Sequence, residues 1–266
     1  LSGAAPTVVI SGGSEQDVVE TIAVHVARST HTPARSVRRT TQNKRLHLLP
    51  QEPTMHDQWK PIYSALATDI MDQLGHRDQA MTPDIRPCSA DTHIAGPALT
   101  LDAYPNTDPH PDPYGQIFAA YDETKAGDVF VVATNGEQRA GLWGELLSTA
   151  AQAQGVNSIV TDGVARDVRQ MNEMNFNCFC TGFSPLDSAG RIITKKINEP
   201  IVCGGVQVHP GDFILADFDG VAVIPAAIKD EVLKLSMEKL EGENTVRDEL
   251  AAGASPREVF DKYGIL

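Results

Sequence analysis

Glu145 and Arg166 are separated by twenty residues, and Asp167 follows the arginine directly. Such a set can be a solvated ion pair with a separate acid, or part of an active site. Just around the first acid, "WGELL" places Gly144, Glu145, Leu146 and Leu147 at the first turn of a helix. The unpaired backbone N–H groups there suit a carboxylate or phosphate. Taken alone, "RD" in "DGVARD" (Asp162 to Asp167) reads first as a surface ion pair. Asp167 then caps a helix, where a carboxylate is favoured by free amides and the macrodipole. The spacing changes that balance. One helix and one strand fit between Glu145 and Arg166, the size of a βαβ unit whose second strand returns beside the first. An anion cradle, two acids and an arginine can therefore meet at the carboxyl ends of adjacent strands, where such folds place ligands.

The elements that must position them alternate in type. "WKPIYSALATDIMDQLG" has helical apolar spacing and closes on Gly75, and "THIAGPALTLDAY" reads as a strand. A Pro- and Asp-rich loop (Pro105 to Gly115) and a short helix lead to the strand "DVFVVAT". The helix "GELLSTAAQAQG" and the strand "SIV" precede "DGVARD", after which come a helix to about Met174 and the strand "FNCFCTG". Beyond Pro200 come short strands, "IVCGGVQV", "DFILADFDG" and "VAVIP". Two helices close the chain, Ala227 to about Leu250 and "SPREVFDKYGIL", the latter with Ser255 before Pro256 as its N-cap. The pattern implies an α/β fold with a mixed sheet.

Residues 1–54 differ in texture from the rest of the chain. No acid occurs between Ala27 and Leu49, while the basic residues there are interleaved with Ser, Thr, His and Pro. Of three readings of this leader, a transit-like segment, a disordered tail and a non-native upstream segment, the last two are favoured. Function then lies in residues 55–266 as a single domain. The formal net charge is -13, with 22 basic and 35 acidic residues, which argues against nucleic acid as the main partner. No run has the apolar length of a membrane span. Four scattered cysteines do not make a disulfide framework, so a reduced, cytoplasmic protein is expected.

"GDVFVVATNG", "GELLSTAAQAQGVNSIVTDGVARD", "TGFSP" and "PGDFILADFDGVAVIP" resemble, in order, one family. It holds the class II 4-hydroxy-4-methyl-2-oxoglutarate / 4-carboxy-4-hydroxy-2-oxoadipate aldolases and the regulator of ribonuclease activity A. The resemblance runs from about Pro61 to Leu266. Its most specific part is the trio Glu145, Arg166 and Asp167, although many aldolase members carry Asp at the first position. It implies a β/β/α sandwich with mixed sheets and C-terminal helices, assembled as homotrimers or homohexamers with sites between subunits. Asp167 would be the one direct protein ligand of Mg²⁺ or Mn²⁺. Arg166 would hold the keto oxygen, Glu145 would orient or deprotonate a metal-side water that takes the 4-hydroxyl proton, and the amides of Leu146 and Leu147, entered through Gly144, would hold the pyruvyl carboxylate. The implied reaction is retro-aldol cleavage of a 4-hydroxy-2-oxo diacid to pyruvate, with oxaloacetate decarboxylation alongside. The alternative is a non-catalytic ribonuclease regulator acting by protein contact, or a related lyase on another hydroxy or keto acid.

The remaining candidates have plainer readings. Lys125, Lys195 and Lys196 lack a Schiff-base motif and read as surface residues. Asp162 and Gly163 form a strand-to-loop turn. Asp108, His110 and Asp112 lie in a loop whose prolines argue against a metal site, and Glu241 and Glu243 read as a solvated helix face. Cys178 and Cys180 fall on one face of a strand, but no CxxC or nearby histidine completes a zinc set, so buried small hydrophobes are expected.

Overall fold

A computed structural model describes residues 56–90 and 92–265. The leader lies outside them. The described residues all belong to one compact unit, Leu49–Leu266. In chain order its elements are α1 (Ser64–Gln73), β1 (Arg86–Pro87), β2 (Ile94–Pro105), α2 (Gly115–Glu123), β3 (Val129–Ala133), β4 (Gly141–Trp143), α3 (Glu145–Ala153) and β5 (Ser158–Thr161). Next come β6 (Val164–Ala165), α4 (Val168–Glu173), β7 (Asn177–Cys180), β8 (Gly182–Phe183), β9 (Ile192–Ile197), β10 (Ile201–Cys203) and β11 (Val206–Val208). The chain ends with β12 (Phe213–Asp217), β13 (Gly220–Ile224), α5 (Lys229–Ala251) and α6 (Pro256–Tyr263).

The main sheet has eight strands in the order β1-β7-β5-β3-β2-β12-β13, with β9 also paired to β2. Its centre, β2, β3, β5 and β7, is parallel. All five residues of β3 are buried, and so are all four of β5. Continuous burial rather than alternation is what a strand covered on both faces requires. β2 is long enough to serve two antiparallel partners: β12 along its first half and β9 along its second.

Three apolar clusters hold the layers. One packs Ile117, Tyr121, Ala151 and Met171 from α2, α3 and α4 against the parallel strands. A second packs the β10–β11 hairpin on the opposite side. The third joins α1 and Val232 of α5 to β12 and β13 around Trp59, whose ring stacks on Phe213 at 4.6 Å. The expected mixed α/β architecture with C-terminal helices is the one observed.

The sequence pattern does not show a second, all-parallel sheet in the order β4-β6-β8. Each of its strands continues a central strand after a short break: β4 comes after β3, β6 after β5, and β8 after β7. "DGVARD" is therefore not a simple turn. Val164 and Ala165 pair on both sides, with Gly141 and Trp143 of β4 and with Gly182 and Phe183 of β8. Asp162 makes the preceding turn as expected, its Oδ1 accepting the Thr134 amide at 2.7 Å.

Candidate active site

The short parallel sheet delivers the site. Arg166 emerges from β6, and its backbone N–H donates to Trp143 O at 2.9 Å, so β4 fixes where it leaves the sheet. α3 starts two residues after Trp143. Its first turn is pinned to β4 by Trp143 Nε1 donating to Ser148 Oγ (3.0 Å), which itself donates to Gly144 O (2.9 Å). The Tyr121 hydroxyl donates to Leu147 O at 2.6 Å from α2.

Asp167 stands at the N-cap position of α4, as expected, but its carboxylate does not cap that helix. Its backbone is left-handed, φ 53° and ψ 32°, which aspartate tolerates better than most residues. This conformation turns the side chain toward α3, where Oδ2 accepts the Glu145 amide at 3.4 Å and Arg166 Nε at 3.2 Å. Oδ1 has no hydrogen-bond partner among the described residues. Gly144 makes room for this carboxylate: a Cβ there would lie 2.5 Å from Asp167 Oδ2.

Arg166, Asp167, Gly144, Leu146 and Leu147 line one cleft of about 250 Å³, together with Tyr114, Phe118, Gly141, Leu142, Asp187 and Ser188. Of the expected site residues only Glu145 is outside this lining. Its carboxylate accepts the Thr149 hydroxyl at 2.9 Å along its own helix. The amides of Leu146 and Leu147 have no acceptor among the described residues, as an anion cradle needs.

Asp187 carries no signal in the sequence, yet it is central here. It accepts Arg166 Nη1 at 2.8 Å and the Tyr114 hydroxyl at 3.1 Å, and its turn closes with the Ser188 amide at 2.9 Å. Arg166 is thus held by two carboxylates, and its Nη2 is unpaired among the described residues. Hydrogen bonding to Asp167, reinforced by the charge of Asp187, raises the Arg166 pKa further, so the guanidinium stays charged. Burial, with the nearby Asp187 carboxylate, raises the Tyr114 pKa and keeps the phenol protonated. A lone Asp in a loop such as "PLDSAG" has no spacing signal, which is why sequence reading passes over it.

The other expectations divide. Asp108, His110 and Asp112 line a separate surface depression, where His110 Nδ1 lies 2.7 Å from Asp112 O. Glu243 accepts the Tyr63 hydroxyl and lies on the α5 face that packs near α1. Cys178 and Cys180 are buried, but they have a third thiol beside them, Cys88, which linear spacing cannot reveal.

A family model described as "RraA-like: Aldolase/RraA" matches residues 63–223. The chain belongs to the RraA-like family. It is 31% identical over 182 residues to a Halalkalibacterium halodurans protein named "Putative 4-hydroxy-4-methyl-2-oxoglutarate aldolase", covering 68% of this chain and 81% of that one. A Paraburkholderia phytofirmans protein of the same name is 28% identical over 172 residues, covering 62% of this chain and 99% of its own length. Among solved structures, Streptomyces coelicolor RraAS2, described as an unusual member of the RNase ES inhibitor RraA protein family, matches with a TM-score of 0.68. The identity is 27%, over 74% of this chain and 98% of that one. The RraA-like match spans α1 to β13 and so contains the whole cleft.

The donor set fits a hard divalent cation. It consists of carboxylate oxygens, with Oδ1 of Asp167 open and Gly144 leaving room for the carboxylate at its Oδ2 side. Magnesium accepts one or two protein carboxylates and fills its remaining positions with water and substrate oxygens.

Proposed function

We propose that this RraA-like protein is a divalent-cation-dependent carbon–carbon lyase that cleaves a 4-hydroxy-2-oxo diacid of the 4-hydroxy-4-methyl-2-oxoglutarate type to pyruvate, and also decarboxylates oxaloacetate. The observation that carries this reading is the charge of the cleft. Arg166 is its one basic lining residue, and it is already paired with Asp167 and Asp187. A dianionic substrate entering a site of formal charge -1 needs another positive charge, and the open Oδ1 of Asp167 supports a cation held there. A Mg²⁺ or Mn²⁺ ion held by Asp167 would supply Lewis-acid polarisation of the substrate's keto group.

The chain's own groups divide the remaining work. The free amides of Leu146 and Leu147 receive the carboxylate next to the keto group. Arg166 donates to the keto oxygen, where negative charge grows as the C–C bond breaks, so it favours the transition state over the substrate. Asp187 holds the guanidinium plane and Tyr114 holds Asp187. Glu145 takes the 4-hydroxyl proton. For that its carboxylate leaves the exposed Thr149 hydroxyl, at a cost of about 1 kcal/mol.

Exposed apolar side chains at or next to the cleft, Leu146 at 77%, Phe118 at 56% and Phe183 at 65%, support a homotrimer or homohexamer in which another copy covers the mouth. A second reading, a ribonuclease regulator acting by protein contact, draws on the likeness to RraAS2. Pyruvate release from 4-hydroxy-4-methyl-2-oxoglutarate and from oxaloacetate, in chelator and after Mg²⁺ or Mn²⁺ addition, separates the two. Metal-dependent turnover is expected. No release of pyruvate from either acid under any metal condition refutes the lyase reading.

A further inference from the structure

We propose that Cys88, Cys178 and Cys180 form a three-sulfur site for a soft cation, Cu(I), distinct from the oxygen-lined cleft. Strand geometry brings the sulfurs together. Cys178 and Cys180 are two apart on β7 and so share a face. β1 runs antiparallel to β7 with Arg86 opposite Cys180 and Pro87 opposite Phe179, so the next residue, Cys88, comes opposite Cys178. The Cys88 amide donates to Cys178 O at 2.8 Å and fixes that register.

The three sulfurs lie within 4.8 Å of one another, with Cys88 Sγ 3.6 Å from Cys180 Sγ. Sulfurs each about 2.3 Å from a shared cation sit roughly 4 Å apart, so small side-chain shifts close the site. All four cysteines of the chain are free thiols, so none of the three is committed to a disulfide.

The surroundings select the kind of ion. Cys178 and Cys180 are 1% and 3% exposed and lie in the apolar cluster with Met171 and Phe176, while half-buried Cys88 provides the way in. No His, Asp or Glu completes the set among the described residues. A sulfur-only set favours soft ions over Mg²⁺, Mn²⁺ or Ca²⁺. Structural zinc takes four protein ligands, and three sulfurs in an apolar pocket leave it one short. Cu(I) is satisfied by three thiolates. On binding, the thiol protons leave to solvent and no electrons move.

The test uses the full chain, reduced and anaerobic, titrated with Cu(I) against a chromogenic Cu(I) chelator. One Cu(I) per chain should be retained, and X-ray absorption on the unmutated protein should show three sulfur neighbours. Loss of even a hydrogen-bond partner of a metal ligand typically weakens binding about 10–100-fold. Cys88→Ala, the variant least able to disturb the core, should therefore weaken Cu(I) at least about 10²-fold, while Cys203→Ala should not. Cys203 is a separate buried thiol facing Val132 O. Failure to retain Cu(I), a nitrogen or oxygen neighbour in the absorption spectrum, or undiminished binding in Cys88→Ala would each overturn the assignment. Tighter retention of Zn²⁺ than of Cu(I) in the same competition would overturn it too.

Discussion

Arg166 decides between chemistry and a bland ion pair. Its contacts to Asp167 and Asp187 are part-exposed, with the guanidinium side chain 32% accessible. Exposed pairs contribute at most about 1 kcal/mol, so a purely structural role would leave Arg166→Lys nearly silent. Lysine keeps the charge but cannot reach two carboxylates and an oxyanion with one planar fork. We expect kcat for pyruvate release to fall about 10²-fold, the cost of losing one oxyanion donor, with little change in melting temperature. Asp187→Asn should produce a smaller loss of the same kind, because it frees the fork without removing it. At Glu145 the two reactions diverge, since oxaloacetate decarboxylation has no 4-hydroxyl proton to remove. Glu145→Gln should cost aldol cleavage about 10²–10⁴-fold, the usual value of a general base, and leave decarboxylation much less affected. Equal losses would assign Glu145 to organising the cleft. Thr149→Ala removes the hydroxyl that occupies the Glu145 carboxylate, and should leave kcat unchanged or raise it.

At the scale of elements the site depends on a helix start and a left-handed residue meeting across β4 and β6. Gly144→Ala puts a Cβ 2.5 Å from Asp167 Oδ2 and 2.9 Å from Arg166 Cγ, so both side chains must shift. The fold should survive, with activity reduced and the apparent Mg²⁺ requirement raised at least tenfold, measured by metal titration of turnover. Asp167→Asn and Asp167→Ala separate charge from conformation. Asparagine tolerates φ 53° and should melt with the parent protein, whereas alanine adds roughly 1–2 kcal/mol of left-handed strain; both should be inactive. The same elements show what a sequence discloses. α3, β3, β5, β7 and α5 are legible because burial imposes long runs or helical periods. β4, β6 and β8 are only two or three residues long, too short for any period, and they exist because the ends of β3, β5 and β7 bring them alongside one another. Arg166 and Asp167 are legible from their spacing to Glu145; Asp187 and the Cys88 partner of the cysteine pair depend on tertiary return and are not. β9, "IITKKI", escapes because its apolar and charged residues do not alternate.

For the whole molecule the boundary of the working unit and its assembly are one question. Trp59 is fully buried against Phe213, and His56 meets the same ring at 5.4 Å. A chain beginning at Met55 therefore keeps every contact of the Trp59 cluster among the described residues and is expected to melt and turn over like the full chain. Trp59→Ala, by contrast, should destabilise by about 3–5 kcal/mol, the range for emptying a large aromatic site. pH acts at the same corner. Burial, assisted by Lys229, lowers the pKa of His56 from its ordinary 6.5, so in the interval below 6.5 the unfolded chain binds more protons than the folded one. Stability should thus fall as pH drops through that interval and be fully present above it; His56→Gln should flatten that part of the profile in denaturant melts. Assembly is read at the cleft. If Leu146 and Phe183 are covered by another copy, Phe183→Glu should reduce the mass measured by light scattering and reduce turnover together, because the cleft then opens to water. Leu146→Glu should do the same, but it also places a charge beside the anion cradle, so Phe183 is the cleaner probe. An assembly that stays intact in Phe183→Glu would move the interface away from β8. If the parent protein is monomeric and fully active, one chain completes the site, and the exposed apolar rim is left to the substrate.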